Sequence, residues 1–424
     1  MYRKKNLKGC AVLYSMSKLV GVEHNVALHH GDLRLLGAKI MSKIGCSSDV
    51  AREIADHLVD ADLSGIHSHG SMRLSQYVDQ YRKNLWTPSA QPRFFQSDTG
   101  AWIIDGQDCH GITAVRVGVR NCVDQALKQE GAGIACVGVR NCGHTGRIGV
   151  FAEEGAKRNC LTFVIGGGSR KSWRQVAPHG GAKGMLPTNP YAISIPGDAR
   201  GAVTIDFATG ATAGGWVMAA KKSKATLPAG LILDAEGRPT TDPNGYHNGG
   251  CILPAAGSKG YGLGLMAELI AYTMLGNVEK EAGLGLNTMV IALDTSRFRS
   301  KSTLMAASKE ILEEMRRCPP AKGFERVEVP GQRENEKVER VMAEDGGRMQ
   351  LPRGIWDDIV GTSTTLGIKG TMPRVEFLET CSRKRKIEAC KDQLSAVVLK
   401  RLKTEGVDLD ALFEEYSREK KSKM

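Results

Sequence analysis

The sequence lacks the features that mark several common classes of protein. It holds eleven cysteines among 424 residues but no Cys-x-x-Cys pair, so we expect reduced thiols and no structural metal. The longest apolar stretch, residues 262–275, is interrupted by Glu268 and is shorter than the roughly 20 residues that span a bilayer. The sequence therefore predicts a soluble protein of a reducing compartment.

The standard nucleotide-binding loops are also missing. Neither GxGxxG nor GxxxxGK[ST] occurs, although Gly166-Gly167-Gly168 follows an apolar run. This absence disfavours a Rossmann fold and a P-loop. Aromatic residues make up 5% of the chain whereas glycine occurs 50 times, so we expect tight turns and close packing of small and aliphatic side chains. The length suits an α/β protein of two or more domains.

The net charge of +12 is spread along the chain. Blocks such as Arg383-Lys384-Arg385-Lys386 are more typical of a solvated helix face than of a nucleic-acid site. We therefore expect no nucleic-acid and no membrane binding. A non-catalytic basic binding protein stays an alternative, which strong and steeply salt-dependent binding would favour.

The apolar pattern predicts an α/β organisation. Helical spacing runs from His29 to about Arg82, with Ser47 as a helix cap. Residues 101–106 predict a strand that enters a new domain, and from about 110 to 300 helical stretches alternate with short aliphatic runs, as in a sheet covered by helices. Residues 301–325 predict a helix that ends at Pro319-Pro320, and residues 351–366 predict a last short helix.

The most informative stretch is residues 59–77, where a helical pattern breaks into a Ser68-His69-Gly70 corner followed by Arg73. An imidazole titrates near neutral pH and can pass a proton to a carbonyl oxygen. Arginine makes bidentate contacts with carboxylates. The corner therefore combines proton chemistry with an anion site.

Three further motifs carry polar groups at strand ends or turns. His144 follows the apolar run 134–139, where ligand-binding loops usually lie. Asp206 stands in an otherwise apolar strand, which is costly unless the acid is paired; a histidine partner and a helix N-terminus are both open. Lys259, among the small residues 255–260, suits a phosphate or ribose contact.

Taken together, the motifs over about residues 30–365 resemble, in order and spacing, the malate/L-lactate dehydrogenase family of type 2. This family includes sulfolactate, ureidoglycolate and diketogulonate oxidoreductases and cyclic imine reductases. The resemblance implies an α/β fold with a non-Rossmann, NAD(P)-binding mixed sheet flanked by helices, plus a helical domain formed from both chain ends.

The sequence pattern and the resemblance, which is not carried into either tail, together predict a division of the chain into four parts. Residues 1–28 form an N-terminal extension, and residues 29–105, completed by 326–372, form a helical substrate and dimerisation domain. Residues 106–325 form the NAD(P)-binding α/β domain, and residues 373–424 form a charged extension.

The resemblance also implies residue roles. His69 donates the proton, Ser68 and Asp206 form its relay, and Arg73 grips the substrate carboxylate. The remaining implied contacts are His144 and Thr188 for the substrate and Asp206, Ser258, Lys259, Gly331, Gln332 and Arg333 for the cofactor. The chain departs from the family pattern at Pro187 and Ala256, where the family usually has glycine.

These roles predict an NAD- or NADP-dependent oxidoreductase that interconverts a 2-oxo acid and a 2-hydroxy acid of the malate, lactate or sulfolactate class. A cyclic imine reductase that acts on a 2-carboxylate is the alternative within the family. The resemblance also implies a homodimer.

The two ends of the chain suggest a cellular address. Ser422-Lys423-Met424 is a close variant of the Ser-Lys-Leu tripeptide that a peroxisomal import receptor reads. We therefore expect a peroxisome or a peroxisome-like organelle such as the glycosome. The basic, acid-free residues 1–19 leave a mitochondrial location open, and a cytoplasmic one is also open.

Overall fold

A computed structural model describes residues 24–168, 170–171, 173–222, 225–276, 284–368 and 372–379. The tripeptide at 422–424 and the basic run at 1–19 lie outside the described residues. No helix among the described residues is long and apolar enough to cross a membrane.

Eleven α-helices occur in the described residues, and a π-helix (Leu269–Met274) extends the eighth. Their bounds are α1 His30–Lys43, α2 Ser48–Leu63, α3 Arg73–Arg82, α4 Gly111–Ala126, α5 Gly149–Lys157, α6 Gly214–Lys222, α7 Pro243–His247, α8 Ser258–Glu268, α9 Lys301–Arg317, α10 Gln332–Ala343 and α11 Arg353–Thr365. Short 3-10 turns lie at His67–His69 and Thr295–Arg297.

Thirteen strands occur in the same residues. Their bounds are β1 His24–His29, β2 Arg93–Gln96, β3 Trp102–Asp105, β4 Ile134–Cys142, β5 Cys160–Gly167, β6 Tyr191–Asp198, β7 Gly201–Phe207, β8 Ile232–Leu233, β9 Pro239–Thr240, β10 Cys251–Ile252, β11 Leu286–Asp294, β12 Arg348–Pro352 and β13 Glu376–Glu379.

The chain divides into two compact units. Of the described residues, the first unit contains those within Val26–Glu376, and the second contains His24, Asn25 and residues 377–379. All of the site residues predicted from the sequence belong to the first unit. The described part of the second unit includes most of β13.

A seven-stranded sheet in the order β2-β3-β4-β11-β5-β6-β7 forms the centre of the first unit. Strands β3 and β4 run parallel, whereas the other neighbouring pairs run antiparallel. A Rossmann sheet is mostly parallel. The predicted mixed, non-Rossmann sheet is therefore confirmed.

The N-terminal helices share their core with this sheet. Side chains from α1, α2 and α3, such as Leu33, Leu58 and Leu74, belong to the same buried cluster as Ile104 and Val139 of the sheet. Helix α4 packs on β4 and β11, and α5 packs on β5 and β6. This shared core fixes the turn between α2 and α3 relative to the ends of the strands.

A smaller layer supports the start of α6. Strands β8, β9 and β10 form a three-stranded antiparallel sheet. Val217 of α6 is fully buried in a separate apolar cluster with Val176, Ile232 and Ile252. The first turn of α6 is thereby held in place by a core distinct from that of the main sheet.

Several predicted boundaries are confirmed and others are wrong. The Ser47 hydroxyl accepts a hydrogen bond from the N–H of Val50, as a helix cap does. The helix predicted over 301–325 ends at Arg317, just before Pro319-Pro320, so its predicted end was too late. Leu351 lies in β12, because Pro352 delays the last helix until Arg353. The prediction missed β1, β2, β8 to β10, β12, β13 and α10.

Candidate active site

The corner after α2 is built around the carboxylate of Asp62. This side chain is buried, and it accepts hydrogen bonds from the N–H of Ser71 at 2.7 Å and from Nδ1 of His67 at 2.8 Å. A Cβ on Gly70 would lie 2.0 Å from Asp62 Oδ1, so no larger residue fits at that position. Asp62 therefore sets the path of the chain through Ser68, His69 and Gly70.

His69 lies on this corner with its Nδ1 3.1 Å from the Ser68 hydroxyl. Burial, together with the positive charges of Arg73 and Arg147, lowers the pKa of His69 to about 3. The imidazole is therefore neutral at physiological pH while the site holds no anion. A neutral imidazole accepts a proton from a hydroxyl group.

Arg73 begins α3 directly after the corner. Its Nε donates to the Ser68 carbonyl at 2.6 Å and its Nη1 donates to Gln76 Oε1 at 2.5 Å. Burial lowers the pKa of Arg73, and no carboxylate of the described residues lies within ion-pair distance of its guanidinium. A desolvated cation without a counter-ion is costly, so this position suits an anionic ligand.

His144 completes the cluster from the loop after β4. Its Nδ1 accepts the N–H of Gly146 at 3.2 Å and lies 2.9 Å from the Tyr77 hydroxyl. Because the amide can only donate, Nδ1 carries no proton and the proton of the neutral ring is on Nε2. Burial holds the pKa of His144 well below its ordinary value, and Arg73 adds to this effect. The rings of His69 and His144 are 5.8 Å apart.

The structure thus brings together four of the residues predicted from sequence: Ser68, His69, Arg73 and His144. Trp173 lies beyond His144, with 6.4 Å between the ring centres. The cluster combines two neutral imidazoles with one uncompensated guanidinium. This arrangement can move a proton beside a bound carboxylate.

Asp206 lies at the end of β7, beside the start of α5. Its Oδ2 accepts the N–H of Gly149 at 2.8 Å, at the start of α5, and lies 3.8 Å from Arg147 Nε. Among the described residues Asp206 makes no hydrogen bond to Ser68 or His69, so its relay with them stays a prediction; the acid bonded to the corner is Asp62. A helix N-terminus and a cation stabilise a carboxylate better than a neutral imidazole does. Burial raises the pKa of Asp206 to about 6, against the effect of Arg147.

Arg147 connects the corner with Asp206. Its buried guanidinium donates to Glu153 at 3.0 Å and to the Ser64 hydroxyl at 3.5 Å. A cleft of about 450 Å³ opens beside it, between β7 and the start of α10. The lining includes Ile66, Arg147, Asp206, Phe207, Gly331 and Arg333. Three of the predicted cofactor residues, Asp206, Gly331 and Arg333, therefore share one cleft next to the corner.

Gln332 is the fourth predicted cofactor residue of this segment, and its side-chain amide is hydrogen-bonded within the protein. Its amide donates to Glu336 at 2.7 Å and accepts from Arg316 at 3.2 Å. It lines a separate cleft of about 270 Å³ with Asp198 and Arg316. Arg333 also has an acidic neighbour, since its guanidinium lies 2.6 Å from Glu328.

Ser258 and Lys259 are exposed in the first turn of α8. A Cβ on Gly260 would lie 2.0 Å from the Ala255 carbonyl, so glycine is required for the chain to enter the helix this closely. Free N–H groups at a helix N-terminus together with a lysine suit a phosphate group. These residues fit the role of dinucleotide contacts.

Thr188 lies close to this helix start. Its carbonyl accepts both the N–H and the hydroxyl of Thr209, each at 2.9 Å. The carbonyl of Thr209 in turn accepts the N–H of Ala255 at 2.9 Å. The structure therefore joins Thr188 to the segment before α8, and none of its hydrogen bonds among the described residues goes to the histidine cluster.

Two buried carboxylates hold chain segments in place, and the sequence interpretation gave neither of them a role. Asp62 falls on the apolar face of α2, where Leu58 and Val59 are also buried, and that position was a signal. Glu268 interrupts an apolar run and is buried; it accepts the N–H groups of Gly168 at 3.0 Å and Arg170 at 3.2 Å and the Asn189 amide at 2.9 Å. Tyr77 gave no signal, since nothing local predicts its contact with His144.

Comparison with known proteins supports the resemblance. A sequence profile of the malate/L-lactate dehydrogenase family matches residues 28–360. The ureidoglycolate dehydrogenase (NAD(+)) of Escherichia coli (strain K12) is 30% identical over 316 residues, which cover 72% of this chain and 87% of that protein. The Delta(1)-pyrroline-2-carboxylate/Delta(1)-piperideine-2-carboxylate reductase of Pseudomonas putida is 33% identical over 249 residues, or 58% of this chain and 70% of that protein.

Solved structures agree with the observed architecture. The sulfolactate dehydrogenase of Methanocaldococcus jannaschii superimposes with a TM-score of 0.70 and 27% identity. The match covers 81% of this chain and 98% of that one. The similarity thus includes nearly the whole of that enzyme.

Proposed function

Because this chain belongs to the malate/L-lactate dehydrogenase family, we propose that Ser68, His69, Arg73 and His144 form the active site of an NAD- or NADP-dependent oxidoreductase. The enzyme interconverts a 2-oxo acid and its 2-hydroxy acid, with malate and similar small acids as the first candidates. The observation that carries this proposal is Arg73, a desolvated cation that has no carboxylate partner among the described residues and lies beside two neutral histidines.

The charges in the cluster account for proton transfer in both directions. When the substrate carboxylate binds Arg73, the oxygen on C2 of the substrate lies next to His69. In oxidation, neutral His69 accepts the proton of the hydroxyl group. The carboxylate also offsets one of the positive charges that lower the pKa of His69, so the complex holds that proton more readily than the free enzyme. In reduction, His69 returns the proton to the nascent alkoxide.

His144 assists from the opposite side. Its Nδ1 is occupied by the Gly146 amide and the Tyr77 hydroxyl. Its Nε2–H is therefore the group that can donate a hydrogen bond to the oxygen at C2. Such a donor stabilises the negative charge that develops on this oxygen during reduction.

The residues suited to the dinucleotide are Ser258 and Lys259 at the start of α8, and Asp206, Gly331 and Arg333 around the 450 Å³ cleft. The bound nicotinamide supplies or accepts the hydride. The protein contributes the N–H groups of α8, the lysine charge and the close chain path at Gly260.

A substrate panel tests the proposal. Purified protein would be assayed for NADH and NADPH oxidation with oxaloacetate, pyruvate, a sulfonated 2-oxo acid and a cyclic imine. We expect turnover of at least one 2-oxo acid and its loss by about 10² to 10⁴ in His69→Ala. The matched control is His29→Ser at the exposed cap of α1, which keeps wild-type rates. Turnover that survives in His69→Ala would refute the assigned proton donor.

The alternative substrate is a cyclic imine 2-carboxylate. The 33% identity to the pyrroline and piperideine carboxylate reductase favours it, and the same Arg73 and His69 would serve, since reduction of C=N and of C=O each needs a proton and a hydride. Turnover of the imine alone in the panel would establish this alternative.

We also propose a homodimer. Helix α8 and the π-helix after it carry exposed apolar side chains on the side away from the core; these are Leu265, Met266, Leu269 and Met274. Their opposite side is buried through Gly264 and Ala267. A helix that is apolar all round is usually covered on every side. Analytical ultracentrifugation of Met266→Glu tests this surface, since we expect monomers; an unchanged dimer would favour the helical module predicted from the chain ends.

The cellular location is a further proposal. Residues 422–424 resemble a peroxisomal address, and their removal from a fusion carrying an N-terminal fluorescent protein should return the protein from a peroxisome-like organelle to the cytosol. An organellar pattern unchanged by this truncation would favour another address.

A further inference from the structure

The start of α6 faces the corner and Arg73. A Cβ built on Gly215 would lie 3.5 Å from Ser68 Cβ and 3.7 Å from Arg73 Nη2. The sequence pattern did not single out this residue. Gly215 therefore places the N-terminus of α6 next to Nη2 of the Arg73 guanidinium.

Nη2 of Arg73 and the first N–H groups of α6 have no hydrogen-bond partner among the described residues. Nε and Nη1 of Arg73 donate to Ser68 and Gln76, whereas Nη2 has no hydrogen-bond partner among the described residues. At α6, Trp216 and Val217 donate to the Ala213 carbonyl. The N–H groups of Gly214 and Gly215 come first in the helix and have no intrahelical acceptor, and no other acceptor for them occurs among the described residues.

Two positive groups therefore face each other. A helix N-terminus carries about half a positive charge, and Arg73 carries a full one. Their approach is repulsive until a negative ligand lies between them.

We propose that the substrate carboxylate is clamped between Arg73 Nη2 and the first N–H groups of α6, with Gly215 as the residue that keeps the space open. This inference rests on the proposed function and extends it. One carboxylate oxygen binds the guanidinium and the other binds the N–H of Gly214 or Gly215. The ligand class is a planar carboxylate with an oxygen on the adjacent carbon, as in 2-oxo and 2-hydroxy acids.

Gly215→Ala provides a selective test. At 3.5 to 3.7 Å its methyl group makes ordinary van der Waals contacts, so the empty protein accommodates it and keeps its fold. The same methyl group occupies the space where the carboxylate would lie. Gly361→Ala is the matched control, because a Cβ on this exposed glycine of α11 meets nothing within 4 Å.

The experiment measures oxalate binding by isothermal titration calorimetry, with thermal melting to check the fold. Oxalate is a planar probe that needs no turnover. We expect Gly215→Ala to weaken oxalate binding about tenfold or more at an unchanged melting temperature, and Gly361→Ala to bind like wild type. In the double variant with Arg73→Lys, the losses should be less than additive, since both groups hold the same anion.

The outcomes separate the clamp from the proposed function. If wild type turns over a 2-oxo acid but Gly215→Ala keeps the wild-type KM and oxalate affinity, the clamp is wrong and the function stands. If wild type neither binds oxalate nor turns over any acid of the panel, both are wrong. Should Gly215→Ala lose its fold, a crystal structure of wild type with oxalate decides: an oxygen within hydrogen-bond distance of Gly214 or Gly215 N supports the clamp, and any other position overturns it.

Discussion

Acid should destabilise this protein through four histidines that the fold holds neutral. Burial lowers the pKa of His69 and of His110 to about 3 and holds those of His57 and His144 well below the ordinary value. In the unfolded chain each titrates near pH 6.5. Their contribution to stability is therefore complete above pH 6.5 and is lost as the pH falls from 6.5 toward about 3.

The size of the effect follows from these values. Between pH 7.5 and 5.5, protonation of one such histidine in the unfolded chain lowers the free energy of unfolding by about 1.4 kcal/mol, so four lower it by about 5 kcal/mol. Asp206 opposes this change, because a pKa raised to about 6 lets the folded state bind a proton and returns less than about 1 kcal/mol. We expect a net loss of about 4 to 5 kcal/mol and, from these groups, the uptake of about three protons on unfolding at pH 5.5.

His57 allows the test with a single variant. It is 2% exposed, its ring is stacked on Phe151 at 5.0 Å, and neither ring nitrogen has a hydrogen-bond partner among the described residues. Arg116 and Arg147 are the nearest charges. His57→Leu therefore breaks no hydrogen bond and removes one group that titrates in the unfolded chain.

The assay is urea unfolding at pH 7.5 and 5.5, with a pH-stat measurement of proton uptake. We expect His57→Leu to take up about one proton fewer at pH 5.5 and to lose about 1.4 kcal/mol less between the two pH values. The control is Gly361→Ala on the exposed face of α11, which removes no titratable group and should behave like wild type. A His57→Leu protein with wild-type proton uptake would refute the reasoning.

Three further predictions concern the corner and the cofactor segment. Asp62→Asn replaces one of two buried acceptor oxygens, so we expect about 2 kcal/mol lower stability in urea and a matching fall in kcat/KM. The kcat/KM for oxidation of the 2-hydroxy acid should show no limb from His69 between pH 8 and 5 in a pH-rate profile, because the pKa of free His69 is about 3; a limb near pH 6 would come from Asp206. Gly260→Ala would bring its Cβ within 2.0 Å of the Ala255 carbonyl and should weaken NADH binding about tenfold or more in a fluorescence titration, whereas Gly262→Ala, which meets nothing within 4 Å, should bind like wild type.

Each of these has a contrary outcome. Wild-type stability of Asp62→Asn would mean that the corner does not depend on its charge. A kcat/KM limb near pH 6.5 that disappears in His69→Gln would mean that His69 titrates normally in the free enzyme. Equal NADH affinity in Gly260→Ala and Gly262→Ala would exclude the start of α8 from the cofactor site.

Much of the fold could be predicted because its signals are local. The helical spacing before Ser47 and after it, the aliphatic runs of β4 to β7 and the break at Pro319-Pro320 depend on residues a few positions apart. The short strands β8 to β10 and the polar helix α10 escaped prediction, since two-residue strands and a helix with no buried side chain leave little apolar pattern.

The candidate site divides in the same way. Ser68, His69 and Arg73 are close in sequence, and one turn followed by one helix suffices to bring them together. Asp206 could not be placed, because its partner depends on which helix begins beside β7. The structure puts the N-terminus of α5 and Arg147 there, and a charged acid prefers these to a neutral ring.

The sequence by itself determined most of the longer elements, the corner of Ser68, His69 and Arg73, and the family, because these depend on short-range periodicity and on motifs in a set order. Tertiary structure alone decided that β11 runs between β4 and β5, that Asp62 is the acid bonded to the corner, and that Gly215 faces Arg73. These contacts join residues far apart in the chain, and the packing of a shared core, which no local pattern encodes, selects them.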